Sequence, residues 1–450
     1  MQTEITKEYV EQLEQAIEAQ DTAFILSTME EMYPPDITTV LYELNAEQSK
    51  FVMDLLPAEV GAEILSDLDP DIRVDFLRVF TSEEIARFVS HMDSDDAVDV
   101  LNEQSVQRRE EIIALIGNEE KIEDIIDLLH YEEDCAGGLM AKEFIKVNIN
   151  WRVRQCIEEI RRQAENVERV YGIYVVDDRD ILLGRIQLKS LILANDDTFI
   201  SEIYDPDVVA VESYKPQEEV VNLMQRYDLE AIPVVNIQGK LLGRITFDDL
   251  VDVIQEQAEL SRQLMTGITE SIEEDDSVLR LSRARLPWLV IGMVGGLLGA
   301  RFIGLFEENI TLIPAMAFFI PLITATGGNV GIQSSSLIIQ TLAAKVVVFD
   351  NLAQRLFKVL LVAIINAAVI SGLVLAFNFF FMSDHTLAIV VSVALFSVVI
   401  LASVMGTITP MILDKFGINP AVAAGPFITT ANDLLGLAVY FIVAHLLYNL

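Results

Sequence analysis

Between Leu281 and Leu450 the chain carries only 7 Lys and Arg and 6 Asp and Glu, out of 31 and 69 in all 450 residues. Apolar runs of about 20 residues suffice to cross a bilayer, and a span must satisfy its own backbone, which makes it a helix. Five spans are predicted, Leu286 to Phe306, Ile310 to Ala343, Val359 to Met382, Thr386 to Leu413 and Ala421 to Leu450. The net charge of -38 therefore arises wholly from the residues before Leu281, which carry -39. Such a surface repels nucleic acid and anionic lipid and calls for cations to screen it, so metal ions are the expected partner and nucleic acid is not. Met1 to Val10 lacks a basic stretch followed by an apolar run, so no cleavable leader is expected. Cys135 and Cys156 have neither redox nor metal-ligand spacing and read as reduced thiols.

Basic residues between the spans set the orientation. Arg283 and Arg285 precede the first, Lys345, Arg355 and Lys358 lie between the second and third, and Lys415 between the fourth and fifth, whereas the other side has Arg301. The positive-inside rule places the long N-terminal region in the cytosol. An odd number of spans then puts Leu450 outside a multi-pass protein of the cytoplasmic (inner) membrane.

The fifth span contains one acid, Asp433, with Thr429, Thr430 and Asn432 beside it and Gly425 and Gly436 flanking. A carboxylate at that depth normally faces a bundle interior or a water-filled path, so the segment is read as one wall of an ion pathway. In the second span, Pro321 to Gln333 includes Gly327-Gly328-Asn329. These residues are expected to weaken the helix and free carbonyls toward a pore; the alternative is a small-residue packing patch. Asn366, Asn378 and His445 are read as packing or interface groups.

From Asn45 the chain falls into twelve-residue blocks up to Ile116, with apolar residues at block positions eight and nine, such as Ile64 and Leu65 or Phe76 and Leu77. Openers such as Asp69-Pro70 and Thr81-Ser82-Glu83-Glu84 begin the blocks. This predicts a helical superhelix. Asp95 and Asp99 are one turn apart on one face, either as ligands or as a solvated acidic face.

A duplication follows. Tyr174-Val175-Val176 leads to Leu182-Leu183-Gly184-Arg185-Ile186, and Pro233-Val234-Val235 leads to Leu241-Leu242-Gly243-Arg244-Ile245. Each copy reads as strand, turn, strand, helix, with an amphipathic helix upstream, and the pair resembles tandem CBS domains. In the second copy Thr246 and Asp249 match that family's phosphate- and ribose-contacting positions, whereas the first copy has Gln187 and Ser190 there. Asp249, Asp252, Glu256 and Glu259 also run down one helix face, as scattered oxygen ligands for Mg2+ or as a solvated face. Leu260 to Arg280 reads as a connecting helix interrupted near Thr266-Gly267 and followed by the acidic run Glu273 to Asp276.

This order of parts resembles the MgtE family of bacterial magnesium channels over nearly the whole length. The fold class is then multi-domain: an all-α superhelical N-domain (1–135), α/β tandem CBS domains (136–198 and 199–259), a linking helix (260–280) and a five-span helical membrane bundle (281–450). The resemblance implies a non-enzymatic homodimer in membrane lipid, with an ion path on the two-fold axis between the second and fifth spans. Asp433 of both subunits would recognise hydrated Mg2+, with Asn432, Thr429, Thr430, Gly328 and Asn329 along the path. It further implies closure by cytosolic Mg2+ at Glu63, Asp95, Asp99, Glu218, Asp228, Asp249 and Asp252, with Glu256 and Glu259 in the same face, and possible ATP binding at the CBS pair. The chain departs from the family at Gln257, Leu260, Ser261, Asn419 and Pro216, where acids are more usual. Two other readings are an ion-coupled secondary transporter using Asp433, with discontinuous helices near Gly327 and Gly425, and a membrane-anchored nucleotide sensor.

Overall fold

A computed structural model describes residues 6–164, 167, 169–270, 272, 277–343, 352–381, 384–423 and 425–448, in two units, Met1–Ile254 and Gln255–Leu450. The first opens with ten helices: α1 (Lys7–Glu18), α2 (Thr22–Met29), α3 (Pro34–Tyr42), α4 (Ala46–Leu55), α5 (Ala58–Asp67), α6 (Pro70–Phe76), α7 (Ser82–Val89), α8 (Ser94–Asn102), α9 (Val106–Leu115) and α10 (Glu119–Leu128). From Thr22 to Val106 every helix begins twelve residues after the last. The period therefore starts two blocks upstream of the Asn45 at which it is first legible, because Pro34-Pro35 and Thr28 blur the apolar pattern there.

Local chemistry sets these starts. Asn45 and Gln48 form a capping box on α4, and Thr81 and Glu84 form another on α7; each satisfies two N–H groups that the helix leaves unpaired. The apolar pair at block positions eight and nine then enters the core: Ile64, Leu65, Phe88, Val89, Val100 and Leu101 are buried. Helices two apart pack together, α3 on α5, α5 on α7 and α7 on α9 in one row, α2 on α4 and α8 on α10 in the other. Gly61 lets α5 approach α7 closely, since a β-carbon there would enter the Phe88 ring. Buried Arg73 ties the blocks together, reaching Glu103 at 2.6 Å and the Leu65 carbonyl at 3.0 Å.

The duplicated region follows as β1 (Ile145–Asn148), α11 (Val153–Gln163), β2 (Ile173–Val176), β3 (Leu182–Ile186), α12 (Leu188–Leu193), α13 (Ile200–Ile203), β4 (Val211–Glu212), α14 (Gln217–Tyr227), β5 (Ala231–Val235), β6 (Leu241–Thr246) and α15 (Asp249–Thr266). Each copy makes one three-stranded sheet, ordered β1-β2-β3 and β4-β5-β6, with a parallel first pair and an antiparallel second. The copies match down to their irregularities. A bulge falls at Val175/Val176 and again at Val234/Val235, and the hairpin turns hold positive φ at Asp180 (62°) and Gly239 (81°). The two turns also bond each other reciprocally: Leu182 N–H donates to the Gly239 carbonyl and Leu241 N–H to that of Asp180, both at 2.9 Å.

In the second unit, α15 does not extend through Leu260–Arg280. The connecting helix is the end of α15 and stops at Thr266, where Gly267 takes φ 88°, a left-handed conformation open mainly to glycine. The buried Gln263 side chain holds the next stretch by accepting from Ile272 N–H (3.0 Å) and donating to Ile272 C=O (2.8 Å). Met1, Glu273 to Asp276, Lys345 and Leu450 lie outside the described residues.

The remaining helices are α16 (Val278–Gly304), α17 (Glu307–Leu312), α18 (Ile320–Ala343, entered through a 3-10 turn, Pro314–Phe319), α19 (Leu352–Phe381), α20 (His385–Lys415) and α21 (Pro426–Tyr448). Five stretches are long and apolar enough to cross a membrane, 278–304, 314–342, 356–381, 385–415 and 426–448. The helix of the second span is unbroken through Gly327-Gly328-Asn329, contrary to the expected weakening. The glycines serve packing instead: a β-carbon on Gly327 would lie 3.1 Å from Val398, one on Gly328 3.2 Å from Thr429, and one on Gly406 would strike the Gly331 carbonyl. Helix α18 thereby packs on both α20 and α21, as close approach through small residues permits. Tyr440 anchors the far end through its hydroxyl to the Met316 carbonyl at 3.0 Å, and Phe306 stacks on Phe441 at 4.4 Å.

Candidate functional site

Asp433 lies about two turns inside α21, half-buried. It opens on a cavity of about 310 Å3 whose polar side chains are Thr324, Thr430 and Asp433, and whose far wall is the glycine face of α16, Gly292, Gly295, Gly296 and Gly299. Gly295 is required there, because a β-carbon would run into the Thr430 side chain. Thr429 and Asp433, one turn apart, both meet Gly328, which would bring a β-carbon to 3.8 Å from Asp433 Oδ1. Gly328, Thr429, Thr430 and Asp433 therefore belong to one locality. Asn432 does not join them: it is buried against Gly331 on α18, with its amide nitrogen unpartnered. One helical step is about 100°, which turns Asn432 away from a cavity that Asp433 faces. Asn329 is exposed on another face of α18. Thr324, which sequence reasoning passed over, lines the cavity because it falls on the same helix face as Ile320.

A second concentration of acid lies in the first unit, where α8 meets the CBS pair. Asp93, Asp95 and Glu143 each place one carboxylate oxygen within 4.8 Å of the others. Two of the three already hold basic partners. Glu143 takes Lys121 at 2.9 Å and two hydrogen bonds from Ser94, N–H at 3.1 Å and hydroxyl at 2.7 Å. Burial alone would raise its pKa, but Lys121 and Ser94 hold it below the ordinary value. Asp93 has Arg244 at 3.5 Å; burial and the Glu143 charge push it up to about 6 even so.

Asp95 is different. Burial raises its carboxyl well above the ordinary range, and its strongest charged neighbours, Asp249, Asp96, Glu143 and Asp93, are all acids that raise it further. Asp249 is raised by burial and by Asp248 and Asp96, against two hydrogen bonds from Thr246. Partly buried hard oxygens without an organic cation are the chemistry that suits Mg2+. Asp249 is the foremost of the acids whose charge raises Asp95. Asp99 shows at the surface of α8 one turn on, raised by partial desolvation and then by Asp96, Glu133 and Glu103 against the pull of Arg73. Glu63, Glu218, Asp228 and Asp252 are exposed and outside this cluster, Asp228 as the left-handed cap of α14. Glu256 and Glu259 are exposed on α15, and Glu259 pairs with Arg262 at 2.6 Å. Thr246 and Asp249 face each other directly, the hydroxyl donating at 2.6 Å. Glu143 was invisible to spacing, since it comes from a different domain than Asp93 and Asp95.

Comparison with known proteins bears on both localities. Family models described as "Divalent cation transporter", "MgtE intracellular N domain" and "CBS domain" match residues 320–443, 32–134 and 200–256. A magnesium transporter MgtE of Thermus thermophilus is 32% identical over 97% of both chains. One of Enterococcus faecalis is 34% identical over 72% of each. The crystal structure of the cytosolic domain of the Mg2+ channel MgtE in complex with ATP superposes with a TM-score of 0.51 at 33% identity, covering 54% of this chain and 99% of that one. An acidic helical repeat, a CBS pair and five apolar helices with one embedded acid thus coincide with relatives matched nearly end to end, and the chain belongs to the MgtE family of magnesium transporters.

Proposed function

We propose that the chain is a Mg2+ channel of the cytoplasmic membrane, importing hydrated Mg2+ past Asp433 and closing when Mg2+ binds its acidic cytosolic region. The observation that carries the permeation half is the cavity at Asp433, where a membrane-embedded carboxylate is joined by hydroxyls and faced by a wall of glycine. In a homodimer the two-fold axis doubles that carboxylate. Mg2+ gives up its water reluctantly, so the paired acids hold the hydrated ion through its shell, by charge-assisted hydrogen bonds about twice as strong as neutral ones. The N-terminal domains are cytosolic and the C-terminus is outside.

The gating half rests on Asp95 and Asp249. With no cation between them they repel, and a divalent ion reverses the sign of that interaction. Glu63, Asp99, Glu218, Asp228, Asp252, Glu256 and Glu259 extend the acidic surface that further ions bridge, and α15 carries the result toward the membrane helices. Because a relative's cytosolic domain is known with ATP, ATP is assigned to the CBS pair through Thr246 and Asp249. Asp249 then serves both ligands, so each changes the affinity for the other.

The test is Mg2+ flux into proteoliposomes with Mg2+ varied independently on the side of the soluble domains. Passive flux that falls as Mg2+ rises on that side is expected. Flux that requires a proton or sodium gradient would replace the channel by a coupled transporter, and flux indifferent to Mg2+ on that side would remove the gating role.

A further inference from the structure

The cavity at Asp433 contains a hydroxyl whose proton is already committed. Thr324 projects into it from α18, and its hydroxyl proton is directed back to the backbone, to Ile320 O at 3.1 Å and Pro321 O at 3.3 Å. A threonine oxygen carries one proton and two acceptor lone pairs. With the proton engaged, what Thr324 offers the cavity is acceptor capacity. A hydrated divalent cation presents the complementary surface, since every water in its shell points hydrogens outward. Any site that holds such an ion without stripping it must be lined by acceptors. The glycine wall of α16 supplies none from side chains, so the side-chain acceptors come from α18 and α21.

Resting on the reading of Asp433 as the permeation site, we propose that Thr324 is a second ion-contacting residue, an acceptor for the hydration shell of the passing divalent cation on the α18 side of the cavity. Asp433 and Thr324 divide the work by chemistry. The carboxylate provides charge and discriminates divalent from monovalent ions. The hydroxyl provides a fixed acceptor that recognises the shell itself, and so discriminates an ion carrying its water from one of the same charge that sheds it. The Pro321 ring one turn earlier fixes the backbone that orients it.

The test uses the full-length protein in proteoliposomes, with Thr324→Val, which keeps shape and removes the oxygen, Thr324→Ser, which keeps the oxygen, and Asp433→Asn alongside. Two readouts are taken: the KM for Mg2+ and block by hexaamminecobalt(III), whose inert ammine shell presents only donors. Thr324→Val is expected to raise KM and weaken the block, each roughly two- to ten-fold, as for loss of one hydrogen bond; Thr324→Ser recovers most of both. Should the valine protein not assemble, Thr324→Ala reads the same quantity. Unchanged KM and block in Thr324→Val, with Mg2+ selectivity lost in Asp433→Asn, would overturn the role of Thr324 and leave the pathway standing. Equal losses in Val and Ser would assign the effect to packing and overturn it too. Selective Mg2+ flux at the original level in Asp433→Asn would remove the pathway reading and this inference with it.

Discussion

Thr246 gives both its backbone N–H (2.9 Å) and its hydroxyl (2.6 Å) to a single oxygen, Oδ2, of Asp249. That oxygen is fixed in place by a neighbour that is itself buried, so Asp249 faces the acids of α8 from a rigid mount. Asp249→Asn keeps an acceptor for Thr246 and removes the charge. The expected outcome is a first unit more resistant to unfolding without divalent ions and a higher Mg2+ concentration needed to protect Leu260 to Thr266 from protease. Limited proteolysis across a Mg2+ series checks both, with monovalent salt at equal ionic strength separating binding from screening.

The raised carboxyls set a pH dependence. Asp93 is pushed up to about 6 from its ordinary 3.8, and Asp95 and Asp249 also lie above that value. Over that interval the folded state holds protons that the unfolded state has released, so stability falls as pH rises. Lys121, Arg244 and Arg73 are the cations opposing this. Without divalent ions the first unit should unfold at lower temperature at pH 8 than at pH 5. Saturating Mg2+ should flatten the difference, as followed by circular dichroism.

Phe88 is fully buried and Gly61 is shaped around its ring. Phe88→Ala should cost about 3–5 kcal/mol, the usual range for emptying such a site. Gly61→Ala should destabilise by about 1–3 kcal/mol through overpacking. Gly61→Ala combined with Phe88→Leu should recover part of the loss if the clash is the cause, which denaturant melts would quantify.

Topology follows from Arg283, Arg285, Lys358 and Lys415. A tag after Leu450 should be labelled on intact cells and one before Met1 should not. Labelling of both, or of neither, would contradict an odd number of spans.

Asp433→Asn retains size and hydrogen bonding while removing two charges at once from the proposed dimeric pore. Folded dimers carrying it should lose Mg2+ selectivity and pass monovalent ions more readily, and Asp433→Glu should fall between. Selective Mg2+ flux at the original level would confine Asp433 to bracing the bundle.

The sequence reading reached what repetition and burial encode: the twelve-residue blocks, the duplicated strands and the five spans all recur as elements. It singled out Asp433 because a lone acid in an apolar helix has few structural uses. It overlooked Glu143 and Asp93, whose proximity depends on how α8 docks on the CBS pair, and it grouped Asn432 with Asp433 by chain adjacency, whereas around the helix Asn432 packs against Gly331. Gly327-Gly328 shows a related ambiguity, since glycine serves close packing and helix breaking equally and only Val398 and Thr429 opposite decide between them.

The alternation of the N-terminal helices into two rows has a further consequence, which concerns parity. Because α3, α5, α7 and α9 pack in one row and α8 packs on α10 in the other, removing a single twelve-residue block would exchange odd and even positions downstream and carry α8, with Asp95, to the opposite row. Removing two blocks would restore the row and merely shorten the stack. The superhelix therefore tolerates change in steps of 24 residues, and the partnership of Asp95 with Asp249 is kept by a count that no single contact records.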